Sequence, residues 1–177
     1  MNISIIASSL SPKSNSRLLA KKLAEKLSLV SINVDFIDLR DFKLPFCGDE
    51  NNHQYPQISD ITDRITKAAG IVMASPIYNY GVNAAMKNLV ELTGKKAWHD
   101  KVVGFICAAG GRSSYMSVMS FANSLMLDFH CLIIPKFIYI AKDFEDINHI
   151  PEDLKERLDQ LAVTLVELAE HYPVETR

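Results

Sequence analysis

Residues 5–23 read IIASSLSPKSNSRLLAKKL. An apolar run stops at Ala7. Five serines follow within nine residues, Ser8, Ser9, Ser11, Ser14 and Ser16, and then Leu18, Leu19 and Leu23 recur at helical spacing with lysines between them. A strand, a polar loop and a helix in immediate succession open a β–α–β unit. In a parallel sheet such a loop lies at the carboxyl end of its strand, where open α/β sheets bind ligands.

The same alternation continues outward. NISIIAS (2–8), INVDFIDL (32–39), GIVMAS (70–75), KVVGFICAA (101–109) and CLIIPKFIYI (131–140) read as five strands. Helical periodicity covers residues 16–27, 58–69, 84–92 and 113–129. Pro151 opens a last helix to about His171, with Leu154, Leu158, Leu161, Leu165 and Leu168 on one stripe. This order predicts an α/β fold: a three-layer, doubly wound, five-stranded parallel sheet, flavodoxin-like, of order 2-1-3-4-5, with residues 1–177 as a single domain. Pro135 lacks an amide donor, which predicts an edge position or a bulge for the fifth strand. The longest unpatterned piece is LPFCGDENNHQYPQ (44–57); polar inserts of that length in a compact domain are usually functional or mobile.

The formal net charge is −2, from 19 basic and 21 acidic residues. That argues against nucleic acid or an anionic membrane as partner, since both need a basic excess on one face. It is also less negative than expected of an electron carrier that docks by charge. No apolar run reaches membrane-spanning length, and NISIIAS is too short for a signal-peptide core. Cys47, Cys107 and Cys131 form no CxxC pair and read as reduced thiols. A cytoplasmic location is the resulting expectation. His53, His99, His130, His149 and His171 show no metal-ligand spacing, so no metal site is expected. Cys107 reads as a small buried hydrophobe, and residues 142–149 read as a solvated loop. Met116, Met119, Phe121 and Met126 read as a core face or subunit interface.

Three loops would share the carboxyl end of the sheet. The first is the serine loop. A helix N-terminus offers unpaired N–H groups and the positive end of the helix dipole, and serine hydroxyls add donors, so a tetrahedral anion can be held without a metal. Lys13 and Arg17 would add charge at the rim. Neither GxxxxGK[ST] nor GxGxxG occurs, which leaves a monophosphate as the simplest fit. Ser14 or Ser16 would also cap the helix, but a cap needs one serine rather than five. In the second loop, ASPIYNYGVNAAMKN (74–88), Pro76 and Gly81 bracket Tyr78, Asn79 and Tyr80. Exposed aromatics and an amide suit a flat heteroaromatic ring; packing of the same aromatics against the domain is the equal alternative. In the third, CAAGGRSS (107–114), Gly110 and Gly111 allow positive φ and close approach of a ligand, and Arg112 and Ser113 open the next helix.

Together these loops resemble those of the NAD(P)H-dependent FMN reductases, the flavodoxin-like group that includes small quinone, azo-dye and chromate reductases. SSLSPKSNS (8–16) falls on the family's GSxRxxSxN phosphate loop. Pro76, Ile77, Tyr78 and Asn79 fall on its P-x-Y-N segment, Ala109, Gly110, Gly111 and Arg112 on its small-residue loop, and KLPFCGDE (43–50) on its Leu-Pro loop. The similarity runs from Ile3 to about Ile140. It implies FMN as cofactor and NADPH or NADH as reductant. Ser9, Ser11, Ser14 and Ser16 would then hold the phosphate. Pro76, Ile77, Tyr78 and Asn79 would line the isoalloxazine, with Gly110, Gly111 and Arg112 approaching from the other side. A homodimer or homotetramer is implied as well, with residues 44–57 and 86–98 as candidate partner surface. The chain departs from the family at Ser8, often Gly, and at Ser11, often an Arg associated with the pyridine nucleotide, which leaves the choice of nucleotide open. After Asn79 it reads YGVNAAMKN where many relatives carry a serine and a proline.

The activity so implied is ping-pong transfer of a hydride from nicotinamide to flavin N5 and then to a small-molecule electron acceptor such as a quinone, an azo compound or a flavin. No catalytic side chain is expected, because the cofactor carries the chemistry. The sequence offers no convincing Ser-His-Asp or Cys-His grouping. A flavodoxin-type electron carrier without NAD(P)H turnover, or a flavin-binding regulatory protein, would use the same loops.

Overall fold

The structure is a computed structural model that describes residues 1–50, 54–141 and 150–172. In chain order its elements are β1 (Asn2–Ala7), α1 (Asn15–Leu29), β2 (Asn33–Asp38), α2 (Pro56–Thr66), β3 (Gly70–Tyr78), β4 (Gly81–Val82), α3 (Ala84–Trp98), β5 (Val102–Ala108), α4 (Met119–Phe129), β6 (Leu132–Ile133), β7 (Ile138–Ile140) and α5 (Glu152–His171). The sheet runs β2-β1-β3-β5-β6, with β7 also on β5 and the short β4 folded back antiparallel on β3. With β6 and β7 taken as one interrupted strand, this is the flavodoxin-like order expected from the sequence.

Strand period two sorts the core onto two faces. Ile3 and Ile5 of β1, Val72 and Ala74 of β3, and Ile106 of β5 pack with Leu19 and Leu23 of α1 and Leu158, Leu161 and Leu165 of α5. Ile6, Ile71, Met73, Phe105 and Cys107 face the other way, toward Ile61 and Ile65 of α2, Leu89 and Trp98 of α3, and Phe121 and Leu125 of α4. Both faces of a parallel sheet are covered by its crossover helices, which is why β3 reads as an uninterrupted apolar run. At Gly104 a Cβ would come within 2.9 Å of Leu161 Cδ1, so the missing side chain lets α5 settle on β5.

The fifth strand breaks as Pro135 requires. Leu132 and Ile133 pair with Val102 and Val103, Ile138 to Ile140 pair with Ile106 to Ala108, and Pro135 and Lys136 stand exposed between them on the edge. Two helices differ from the periodicity. α3 continues past residue 92 to Trp98 by crossing Gly94, whose φ of 60° and ψ of −165° only glycine tolerates. The expected helix over 113–129 begins as a 3-10 turn, Arg112–Val118, and becomes α-helical at Met119. Ser114 explains the delay: its backbone is non-helical (φ −95°, ψ 20°) and its hydroxyl sits 2.7 Å from Tyr139 Oη on β7. Residues 142–149, read as a solvated loop, lie outside the described residues, as do His53 and His149.

Truncating a core leucine of α5 should therefore cost far more than truncating an exposed leucine of α4. Leu165→Ala empties a site with no solvent exposure and should lose about 2–5 kcal/mol. Leu127→Ala, on a residue 81% exposed, should stay within about 0.5 kcal/mol of the parent. Urea unfolding followed by fluorescence of the single tryptophan, Trp98, reads both.

Candidate functional site

The register carries three loops to one end of the sheet. Ala7 aligns with Ala74, Ala74 with Ile106, and Pro76 with Ala108. The serine loop, the Tyr78–Gly81 turn and the Gly110-Gly111 loop thus leave the sheet side by side, as the sequence predicts.

Asn83 locks the first loop to the second. Its side chain is buried. Its Oδ1 accepts from Ser8 Oγ at 2.7 Å, from Ser75 Oγ at 3.2 Å and from the Met86 amide at 3.3 Å. Its Nδ2 donates to Ser8 O at 2.8 Å. The same residue therefore caps α3 and satisfies the buried polar groups where β1 and β3 end. Neither Asn83 nor Ser75 was among the residues singled out from the sequence. An Asn directly before the helical pattern at Ala84 is, however, a readable N-cap signal.

Within the serine loop, Ser14 is the N-cap of α1: its Oγ accepts from the Arg17 amide at 3.3 Å and lies 3.2 Å from Ser16 Oγ. Ser11 Oγ donates to Lys13 O at 2.8 Å. Ser9, Ser14 and Ser16 are buried, and the first turn of α1 holds no acidic residue to compete for an anion. Lys13 is exposed at the rim as expected. Arg17 is not. It is buried and turned inward, where Nη1 donates to Ser11 O at 2.9 Å, Nη2 donates to Ser9 O, and Nε lies 3.1 Å from Asp38 Oδ2. A cation one turn into α1 reaches the end of β2, and pairing with Asp38 makes burial of both charges tolerable. The guanidinium engages two loop carbonyls, so neither oxygen is left to repel an anion.

Asp38 also accepts from Arg40 at 2.6 Å and caps the short turn that follows β2. Burial pushes its carboxyl up, but the hydrogen bonds from Arg40 and the charge of Arg17 outweigh this and hold it below the ordinary carboxylate range. Burial lowers the Arg17 guanidinium, with Asp38 opposing.

In the second loop, Pro76 and Ile77 are buried at the end of β3. Asn79 (φ 50°) and Tyr80 (φ 61°) are both left-handed, the form of the tight two-residue hairpin turn between β3 and β4. The turn projects Tyr78 and Tyr80 into solvent, so these aromatics do not pack into the domain. Tyr80 Oη reaches Ser113 Oγ at 3.3 Å and joins the second loop to the third. Gly110, Gly111 and Arg112 are exposed. Neither glycine has positive φ, which corrects the expectation from the sequence; Gly111 is extended. What the two glycines supply is room: a Cβ on either would meet nothing within 4 Å. Tyr139 Oη donates to Gly111 O and fixes the loop against β7.

Cys107, beside this end of β5, is fully buried, and burial pushes its thiol up to about 12, so it is no nucleophile. The histidines are less scattered than their spacing suggested: the rings of His99 and His130 lie 5.0 Å apart at the opposite end of the sheet.

The Arg17–Asp38 pair sets an acid limit on the loop. Because the folded carboxyl is held low, its contribution is complete above the unfolded value of about 4 and is lost as pH falls through the folded value. Asp38→Asn leaves Arg17 buried and unpaired and should cost about 3 kcal/mol at neutral pH. It should also flatten the acid limb of stability against pH. Chemical unfolding of parent and variant between neutral pH and about pH 3 measures both effects.

The NADPH-dependent FMN reductase family model matches residues 1–145 of this chain. The chain is 24% identical over 140 residues to an NAD(P)H-dependent FAD/FMN reductase of Geobacillus thermodenitrificans, covering 77% of this chain and 76% of that protein. It is 29% identical over 149 residues to an NADPH:quinone oxidoreductase of Arabidopsis thaliana, covering 79% and 76%. Among solved structures, the flavoenzyme NAD(P)H:(acceptor) oxidoreductase FerB from Paracoccus denitrificans superposes with a TM-score of 0.79 at 19% identity, covering 97% of this chain and 98% of that one. A flavodoxin from the domain Archaea superposes with a TM-score of 0.69 at 15% identity. These two are likenesses of fold. With the three loops assembled at one end of a flavodoxin-like sheet, the chain belongs to the NADPH-dependent FMN reductase family and is an oxidoreductase.

Proposed function

We propose that the chain is a single-domain cytoplasmic enzyme that binds FMN at the three-loop end and uses NADPH or NADH to reduce a small-molecule acceptor. The observation that carries this reading is the pairing of two surfaces. A serine-rich helix N-terminus free of carboxylates lies beside an open patch framed by Tyr78, Asn79, Gly110 and Gly111. The residues fit the cofactor: Ser9, Ser11, Ser14 and Ser16 with the first-turn amides of α1 would hold its phosphate, and Pro76, Ile77, Tyr78 and Asn79 would line its ring. Gly110, Gly111 and Arg112 would bound the other side, where the absence of Cβ atoms leaves space for a flat group.

FMN, when bound, supplies the redox chemistry: hydride acceptance at N5 from the nicotinamide and return of the electrons to a quinone, azo, flavin or similar acceptor, in ping-pong order. The protein's part is positional. Arg17 and Asp38 hold the phosphate loop from behind, and Asn83 keeps that loop and the ring loop at a fixed separation. Backbone N–H groups of the second and third loops would stabilise negative charge at the ring edge. With Cys107 buried and protonated, no side-chain acid, base or nucleophile is assigned.

A second copy of the chain is proposed to complete the pocket, in a homodimer or homotetramer. Of the partner surface expected at 86–98, Met86, Leu89, Val90 and Trp98 lie in the core and are unavailable. The 44–57 segment fares better. Its described part is pinned to α3 through Asn88, which accepts from the Cys47 amide and donates to Pro45 O, each at 2.8 Å. Phe46 is left 79% exposed beside Leu10.

Anaerobic addition of NADPH, then NADH, to FMN-loaded protein should bleach the flavin bands rapidly, and an added quinone should restore them. Bands that persist with both nucleotides would return the electron-carrier reading, and failure to retain FMN would return the regulatory one. Light scattering on a sizing column should give a multiple of the 19.8 kDa chain mass, and Phe46→Glu should shift it toward one chain. A parent that elutes as a monomer removes the assembly from the proposal.

A further inference from the structure

The amino ends of β5 and β6 carry a polar cluster that the flavin end does not use. His99 and Asp100 form the turn from α3 into β5, and His130 ends α4 just before β6. His99 Nε2 lies 3.1 Å from Asp100 Oδ2, and one ligand atom from each of the three residues lies within 4.8 Å of the other two. His99 Nδ1 is shielded from solvent and has no hydrogen-bond partner. Nε2, the ring nitrogen that faces Asp100, is the one a cation shared by the two would take; Nδ1 lies on the other edge of the ring and is not counted among the ligand atoms.

The two turns are already joined by backbone. The Asp100 amide donates to Phe129 O and the Leu132 amide to Lys101 O, each at 2.9 Å. Asp100 and His130 are both left-handed, with φ of 56°, and these turn conformations bring residues 31 positions apart to one spot. Lys101 is buried, but its Nζ points to Thr66 O and Ala68 O at 2.7 and 2.6 Å. Cys131 is adjacent yet directs its thiol to Trp98 O at 3.2 Å, so the donor set is imidazole and carboxylate without thiolate.

We propose that His99, Asp100 and His130 bind one divalent transition-metal cation of the Zn2+ class and clasp the α3–β5 turn to the α4–β6 turn. Imidazole and carboxylate ligands sit about 2.0–2.2 Å from such an ion, which places the ligand atoms about 3–4 Å from one another. Two histidines and one carboxylate suit Zn2+, Co2+ or Ni2+ and disfavour Mg2+ and Ca2+, which prefer all-oxygen shells. Three protein ligands leave a position for water. The site lies at the far end of β5 from the flavin loops, about 20 Å away for seven residues of strand. Its role is structural, and it stands independently of the oxidoreductase reading.

Titration of tag-free, chelator-treated FMN-loaded protein with ZnCl2 by calorimetry tests this. His130→Asn and Asp100→Asn each remove a ligand, and Asn is tolerated in the left-handed turn. The expected result is saturable binding of one Zn2+ per chain, weakened at least ~10-fold in either variant. Zn2+ should raise the melting temperature of the parent and raise that of the variants less. NADPH oxidation by the variants should match that of the parent. No saturable one-to-one binding, or binding that both variants retain unchanged, overturns the site.

Discussion

Burying a parallel sheet on both faces leaves only its two ends for chemistry. Once α1 and α5 cover one face and α2, α3 and α4 the other, the apolar side chains along the middle of β1, β3 and β5 are committed to packing, and the buried hydroxyl of Ser4 on β1 is left without a hydrogen-bond partner. The strands can afford little else: a polar side chain there must find a partner inside the protein or be left unsatisfied. Function is thereby displaced to the loops, and the loops are useful only if the strand ends are held in register. That is the work of Asn83, Ser8 and Ser75, which turn the polar ends of β1 and β3 into one satisfied network.

A second buried polar assembly works differently. Arg17 belongs to α1 and Asp38 to β2; Arg17 donates to two carbonyls of the serine loop, and Asp38 holds its guanidinium from β2. Both charges are sheltered from water, so their attraction is weakly screened; loss of Asp38 strands Arg17, whereas Asp38 would keep Arg40. The loop that would hold a phosphate is thus shaped by interactions on its inner side, with its outer side left for the ligand. Rigidity of this kind, set in place before binding, would let a neutral set of serines and amides substitute for a dense cluster of cations.

Much of this was legible in the sequence because the elements are strongly periodic. The strands, the five helices and the position of the serine loop follow from apolar spacing and from the serines themselves, and Pro135 announced the broken edge. What escaped has a common physical character. The inward turn of Arg17 depends on where β2 ends, 21 residues later, and no local pattern records it. The glycines at 110 and 111 were read for positive φ and for close approach; neither has positive φ, and both border open space. His99 and His130 look unrelated until two tight turns bring them together. Helix content was misjudged where a local tether, such as Ser114 on Tyr139, overrides periodicity.

The break at Pro135 reaches beyond the strand that contains it. A sheet edge with an unbroken row of free amides and carbonyls invites another strand to join it. Here the outermost strand is two short pieces, one of two residues and one of three, with a residue that has no amide and an exposed lysine between them. A second chain finds no continuous ladder to extend. This edge therefore works against fibre growth, and backbone pairing between copies would have to use the opposite edge, β2.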